Sequence, residues 1–319
     1  MTDSEDRPPT QADTPTSASS VNPPATPSGG PPLGAHVSVA GGIANAIPRG
    51  EELGCTAIQI FVKNANRWQA KAIDPADAAA FHAAREGSAI GPVVAHASYL
   101  INLAATKDDT LARSKAALAD ELERCAVVGV DGLVLHPGSH LGSGEEEGIE
   151  RFVAALDPIL AEAGLGGEGP YEAGQGPRLL LENTAGQGTN LGHRLEHLEA
   201  MLAALGNDHR VGVCIDTCHA FAAGYALHEE AGYDEFWDEV DERLGLERVG
   251  ALHLNDSVQP FASRKDRHAH IGEGEIGAGC FERLLHDPRL AAIPMVIETE
   301  TGDDSEGHRK DLATLRALL

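Results

Sequence analysis

The run VGVCIDTCHAF, residues 211–221, carries both the fold and the chemistry of this chain. Its first five residues are unbroken by any polar side chain. Such a run suits a strand covered on both faces, as in a parallel sheet. A carboxylate, Asp216, stands at its end, and an imidazole, His219, follows three residues later. If a helical turn starts where the strand stops, both side chains face one cavity.

Working outward, the same pattern repeats. Apolar runs of strand length occur at 34–39 (GAHVSV), 57–62 (AIQIFV), 93–97 (VVAHA), 132–137 (GLVLHP), 179–183 (LLLEN), 211–216, 249–256 (VGALHLND) and 295–300 (MVIETE). Helical spacing lies between them. Residues 107–128 place Leu111, Leu118, Leu122 and Cys125 on one face; 195–205 place Leu195, Leu198, Leu202 and Leu205; the C-terminus places Leu312, Leu315 and Leu319. Eight strand-then-helix units predict an α/β fold, a (β/α)8 TIM barrel with its active face at the C-terminal ends of the strands.

Nine potential metal donors fall at those ends or in the loops that follow: His96, His136, Glu182, Asp216, His219, His253, Asp266, His268 and Glu298. Taken singly, each is an ordinary polar residue. Together in one mouth they need a common explanation, because buried unpaired carboxylates are costly. Imidazole with carboxylate suits zinc or a similar divalent ion. Nine donors are too many for one ion and point to a cluster. Glu182, at a strand end, has two oxygens with which to bridge two ions.

Composition sets the rest. Residues 1–32 are rich in Pro, Ser and Thr and nearly free of large apolar side chains, so they read as a disordered tail before a catalytic domain at 33–319. The tail lacks the basic start and apolar core of a secretory leader, and no apolar run approaches membrane-spanning length. The net charge is −25, from 49 Asp and Glu against 24 Lys and Arg, of which six are Lys. Such a surface fits a salty cytoplasm, where self-repulsion is screened. By itself it argues against a nucleic-acid partner, since phosphates are repelled. Five cysteines (55, 125, 214, 218 and 280) form no CxxC pair and read as packed thiols in a reducing cytoplasm. GSGEEEG (142–148) reads as a loop entering a helix, its acids favourable at the helix start. The Gly/Glu-rich stretch 162–178 reads as a loop on the face opposite the site.

Longer motifs carry a family resemblance. GAHVSVAGG (34–42), KNANRW (63–68), HASYLINLA (96–104), LHPGSHLG (135–142), LENTAGQGTNLG (181–192), VGVCIDTCHAFAAGY (211–225), HLNDS (253–257) and DRHAHIGEGEIG (266–277) together resemble endonuclease IV, the zinc-dependent apurinic/apyrimidinic endonucleases of base-excision repair. The resemblance runs in order from residue 34 to about 300. It implies three zinc ions, with manganese a possible substitute. His96, His136 and Glu182 would hold the first; Glu182, Asp216, His253 and Glu298 the second; His219, Asp266 and His268 the third.

It also implies hydrolysis by metal-activated water of the bond 5′ to an abasic site in double-stranded DNA, leaving a 3′-hydroxyl and a 5′-deoxyribose phosphate. Trimming of blocked 3′ ends would use the same centre. Glu182 and Glu298 would be the catalytic carboxylates, with Glu298 orienting or deprotonating the water. The acting unit would be a monomer, away from membranes. Tyr99 matches the family's inserting tyrosine; where well-known members insert an arginine, this chain has Asn66 with Arg67 beside it. Arg264, Lys265 and Arg267 form a basic cluster near the donors, and Lys63 lies with Arg67 on another active-face loop, so a locally basic mouth on an acidic body would answer the charge objection. The rival reading is a single-metal sugar isomerase or epimerase on the same barrel, which would leave His96, His136, His219, Asp266 and His268 without a task.

Overall fold

The structure is a computed structural model that describes residues 30–162 and 176–319. Eight strands run parallel and close on themselves: β1 Leu33–His36, β2 Ala57–Ile60, β3 Val93–His96, β4 Gly132–Leu135, β5 Arg178–Glu182, β6 Val211–Asp216, β7 Val249–His253 and β8 Met295–Ile297. The order around the barrel follows the chain, and β1 pairs with both β2 and β8. All eight predicted strands are present, and a TIM barrel is the result.

Nearly every strand residue is buried, as sequences without alternation require. The barrel interior holds Val94, Val134, Leu180, Cys214 and Ala251. Glycines make room at the N-terminal end: a Cβ on Gly250 would sit 2.5 Å from a Leu180 methyl. The larger core lies between strands and helices and includes Phe81, Phe152, Phe221, Phe281 and Trp237.

The helices are α1 Ala46–Glu52, α2 Pro75–Glu86, α3 Asp108–Val128, α4 Glu145–Glu162, α5 Leu195–Ala204, α6 Thr217–Ala223, α7 Glu230–Leu244, α8 Ala278–His286 and α9 Glu306–Ala317. α2 starts on Asp74, whose carboxylate accepts the Ala76 N–H, with Pro75 at the first position. α3 buries Leu118, Leu122 and Cys125 and stops at Gly129 in the left-handed conformation, while Leu111 is only half-buried. α4 carries Glu145, Glu146 and Glu147 in its first turn, as expected. One helical expectation fails: Leu312 and Leu315 are fully buried, but Leu319 is 43% exposed, because α9 ends at Ala317 and the face is not continued.

The expected tail lies outside the described residues except for Gly30–Pro32, of which Gly30 is exposed and the two prolines pack. Pro31 is buried and the Pro32 carbonyl accepts the Met295 N–H at 2.8 Å. Of the expected back-face loop, residues 163–175 lie outside the described residues. A cavity of about 610 Å³ opens at the N-terminal mouth, lined by the acids Glu86 and Asp131, of which Asp131 is paired with Arg85 at 2.7 Å. The donor cluster is at the other mouth.

Candidate metal centre

Six of the nine donors are delivered by strand ends. His96 and Glu182 are the last residues of β3 and β5, Asp216 and His253 the last of β6 and β7. His136 and Glu298 stand one residue beyond β4 and β8. α6 starts at Thr217 with Asp216 as its cap, whose carboxylate accepts the His219 N–H at 2.7 Å. That cap turns the carboxylate and the imidazole of the VGVCIDTCHAF run into the same mouth, as their spacing suggests. Asp266 and His268 come from the long loop after β7, pinned by a two-residue antiparallel pair, Asp256–Ser257 with His268–Ala269.

The nine side chains converge around Glu182, which is fully buried. Its Oε2 lies 3.1 Å from His96 Nε2 and 2.9 Å from His136 Nε2. Its Oε1 lies 2.8 Å from His253 Nδ1 and 3.4 Å from His219 Nδ1. The carboxylate is thus split between two groups of imidazoles. Glu298 Oε2 stands 3.2 Å from His253 Nδ1, and Asp216 Oδ2 3.8 Å from it. A third group forms where Asp266 reaches His219 Nε2 and His268 Nε2, both at 3.2 Å.

The electrostatics match a cation site. Burial works against charge on Glu182, but the imidazoles of His136 and His253 hold its carboxyl well below the usual range. Burial likewise opposes ionisation of Asp266 and Glu298, and neighbouring histidines hold both low. His268 moves the other way: despite burial, Asp266, Asp216 and Glu298 raise it to about 9. Negative charge is therefore held in a largely buried pocket and calls for cations.

The residues fit divalent metal on two counts. His268 Nε2 is buried and, though 3.2 Å from Asp266 Oδ1, has no aligned hydrogen-bond partner. His96, His136 and Glu182 offer donor atoms within 4.8 Å of one another, as do His219, Asp266 and His268. Cys214 and Cys218 also approach the cluster. Burial pushes both thiols up to about 12, so they remain protonated near neutral pH and fill space.

A shell of neutral amides supports the donors, a role that no spacing or motif announces. Asn255 Nδ2 donates to Asp216 Oδ2 at 2.6 Å, and its Oδ1 accepts the Glu298 N–H. Asn183 Oδ1 accepts the Asp216 N–H at 2.7 Å. Gln59 Oε1 lies 2.8 Å from His253 Nε2, and its Nε2 donates to Glu298 Oε1 at 2.5 Å. Supporting hydrogen bonds of this kind orient metal ligands.

The residues expected to meet DNA ring the same mouth. Tyr99 is 59% exposed in the loop after β3, its ring 5.2 Å from that of His96 and 6.1 Å from that of His136. Asn66 and Arg67 are exposed in the loop after β2, and Arg264, Lys265 and Arg267 in the loop after β7. Lys63 departs from expectation. Its Nζ is buried against Asp120 and Glu121, 3.2 Å from each, and donates to the Trp68 carbonyl, so it offers no charge to the rim.

Comparison with known proteins agrees with the fold and narrows the family. The sequence model of the xylose isomerase-like TIM barrel family matches residues 48–318. A probable endonuclease 4 of Chloroflexus aurantiacus is 48% identical over 289 residues, 91% of this chain and 98% of that protein. Another, from Halorhodospira halophila, is 48% identical over 90% of this chain and 93% of its own length. The crystal structure of endonuclease IV from Thermus thermophilus superposes with a TM-score of 0.79 at 41% identity, covering 90% of this chain and 98% of that one. A D-tagatose 3-epimerase-like protein shares the fold alone, at a TM-score of 0.64 and 18% identity. On identity and coverage together, the chain belongs to the endonuclease IV family.

Proposed function

We propose that this protein is a DNA-repair endonuclease that cuts the phosphodiester backbone 5′ to apurinic/apyrimidinic sites and trims blocked 3′ ends. The observation that carries this reading is the division of nine donors into three groups, with Glu182 shared between two of them. We assign His96, His136 and Glu182 to one ion, Glu182, Asp216, His253 and Glu298 to a second, and His219, Asp266 and His268 to a third, with zinc as the expected metal. Bound divalent ions would supply an acidic water near neutral pH and positive charge for the phosphate.

The chain's own part is placement. Glu182, with its two oxygens turned to different imidazoles, would be a ligand to two ions. Glu298, kept anionic and gripped by Gln59 and Asn255, has the position to orient the attacking water or take its proton. Tyr99, standing over His96 and His136, would fill the space left by a missing base, where stacking is already lost. Asn66 would flank it in place of an arginine. Arg67, Arg264, Lys265 and Arg267 would hold phosphates. Work in a reducing cytoplasm is supported by five free, buried cysteines. Among the described residues no helix is long and apolar enough to cross a membrane. A single chain suffices as the acting unit, since one barrel supplies all nine donors.

The test is incision of a duplex oligonucleotide bearing one abasic-site analogue, without added magnesium. A single nick 5′ to the lesion, resistant to brief EDTA and abolished by prolonged chelation, is expected. No nick from protein shown to contain metal would overturn the assignment and favour ketose–aldose interconversion instead.

A further inference from the structure

We propose that Gln59 is a positioning residue of the metal centre, deciding which nitrogen of His253 faces the ions. This rests on the mouth being a divalent-metal site. Gln59 sits in β2 in the run AIQIFV, fully buried where an apolar side chain would be the norm. Its carboxamide crosses the mouth past β1 and β8 to reach His253 at the end of β7.

The amide can be oriented in only one way. Its nitrogen end meets Glu298 Oε1 at 2.5 Å and His36 Nδ1 at 3.0 Å. Reversing it would set the amide oxygen against a carboxylate oxygen, two acceptors in contact with no proton between them. The oxygen therefore faces His253 Nε2, at 2.8 Å. An amide oxygen only accepts, so Nε2 carries the proton. Nδ1 is then the nitrogen that faces Glu182 Oε1 (2.8 Å) and Glu298 Oε2 (3.2 Å); between these acceptors it holds a proton until a bound cation would displace it and take the lone pair.

The other donor histidines are arranged the opposite way. His96 Nδ1 donates to the Ala97 carbonyl at 2.7 Å, His219 Nδ1 to that of Asn183 at 3.0 Å, and His268 Nδ1 to that of Glu298 at 3.3 Å. Each leaves Nε2 for metal, and His136 also turns Nε2 to Glu182. His253 alone presents Nδ1. Backbone carbonyls set His96, His219 and His268, which any sequence could supply. His253 depends on a side chain, and the same amide grips Glu298, a second donor to the same ion position.

The experiment is substitution Gln59→Met, which keeps length and removes both hydrogen-bonding groups. Zinc-loaded protein is mixed with a chromogenic chelator and release is followed without DNA. We expect one class of zinc to leave about 10- to 100-fold faster than in the unsubstituted protein, the usual cost of losing such a supporting bond. The kcat for abasic-site incision should fall, while KM should hold because Gln59 touches no surface. Unchanged release in a folded Gln59→Met protein overturns the inference. A second measurement needs no altered Gln59: 15N spectra of the zinc-loaded protein, with His253 assigned by its loss in His253→Asn. A ring protonated on Nε2 and ligated through Nδ1 is expected; protonation on Nδ1 overturns the inference. Should the protein hold zinc in this way yet never nick abasic DNA, the proposed substrate fails and the role of Gln59 stands.

Discussion

Asp266 lies thirteen residues beyond His253, in a loop with no regular strand longer than two residues, yet it completes a group with His219 and His268. Its sequence neighbourhood announced it because D-x-H beside strand-end donors is chemically loaded. Gln59, Asn183 and Asn255 announced nothing: a neutral amide gains meaning only from what stands opposite, and Asn255 meets an Asp216 that is 39 residues away. Lys63 departs from expectation for a related reason. Its charge suggests exposure, whereas the fold buries it in an ion pair. At this scale the third donor group separates nuclease from isomerase, because a single-metal enzyme has no use for it. His219→Ala should lower incision about 10²- to 10³-fold, on the order of 3–4 kcal/mol of transition-state stabilisation. It should also remove one metal equivalent per chain while leaving the far-UV spectrum intact. Single-turnover incision with metal analysis checks this, and near-normal incision would remove His219 from the centre.

The barrel strands were legible because strands buried on both faces advertise themselves as apolar runs; the loops that carry Tyr99, Asn66 and Arg67 were not, since their shape comes from anchors elsewhere. The loops after β2 and β3 are moored together on α3. Ser98 Oγ donates to the Ala65 carbonyl, Glu121 accepts the Ser98 N–H, and Lys63 joins Glu121 to the Trp68 carbonyl. Arg124 holds the Ala70 and Lys71 carbonyls. Tyr99, Asn66 and Arg67 therefore stand on a fixed base. Lys63→Met strips the buried Glu121 of its ammonium partner, and breaking such a pair costs about 3–5 kcal/mol. Equilibrium denaturation should show that loss, and KM for abasic DNA should rise more than kcat falls. An unchanged midpoint would mean the pair does not hold the loops. The loop after β7 has its own anchor: the buried Asp256 carboxylate accepts the N–H groups of Gly272 and Gly274 at 3.0 Å and of Ile276 at 2.9 Å. Asp256→Ala leaves those donors without their acceptor, so a loss of about 2–4 kcal/mol and faster proteolytic cleavage within 270–277 are expected.

For the molecule as a whole, charge is the unusual property. A net −25 on a DNA enzyme looks contradictory until the charges are placed. Glu230, Asp234, Glu235, Asp238, Asp241 and Glu242 lie on the exposed side of α7, on the barrel's flank, whereas Arg67, Arg264, Lys265 and Arg267 ring the mouth. Repulsion among the flank charges reaches across neighbouring residues near ~0.1 M salt, where the screening length is about 10 Å, and is largely gone near ~1 M salt, where it is about 3 Å. Thermal stability should therefore climb between about 0.1 M and about 1 M KCl, and a Tm that falls over that range would refute the reading of the surface as salt-adapted.

DNA binding follows from the same placement. Each phosphate neutralised contributes a slope of about −0.9 to log K against log salt, so four rim cations set a slope of about −3 to −4. So shallow a dependence would let the enzyme keep its substrate in salt that strips DNA from strongly basic proteins, with the metal centre and Tyr99 supplying contacts that salt screens little. The slope is measurable by fluorescence anisotropy on an abasic duplex with chelated, inactive protein and again with metal restored. A slope near −7 or steeper, the signature of about eight phosphate contacts, would mean that cations beyond the rim engage the backbone. The separation of an acidic body from a basic mouth would then be wrong.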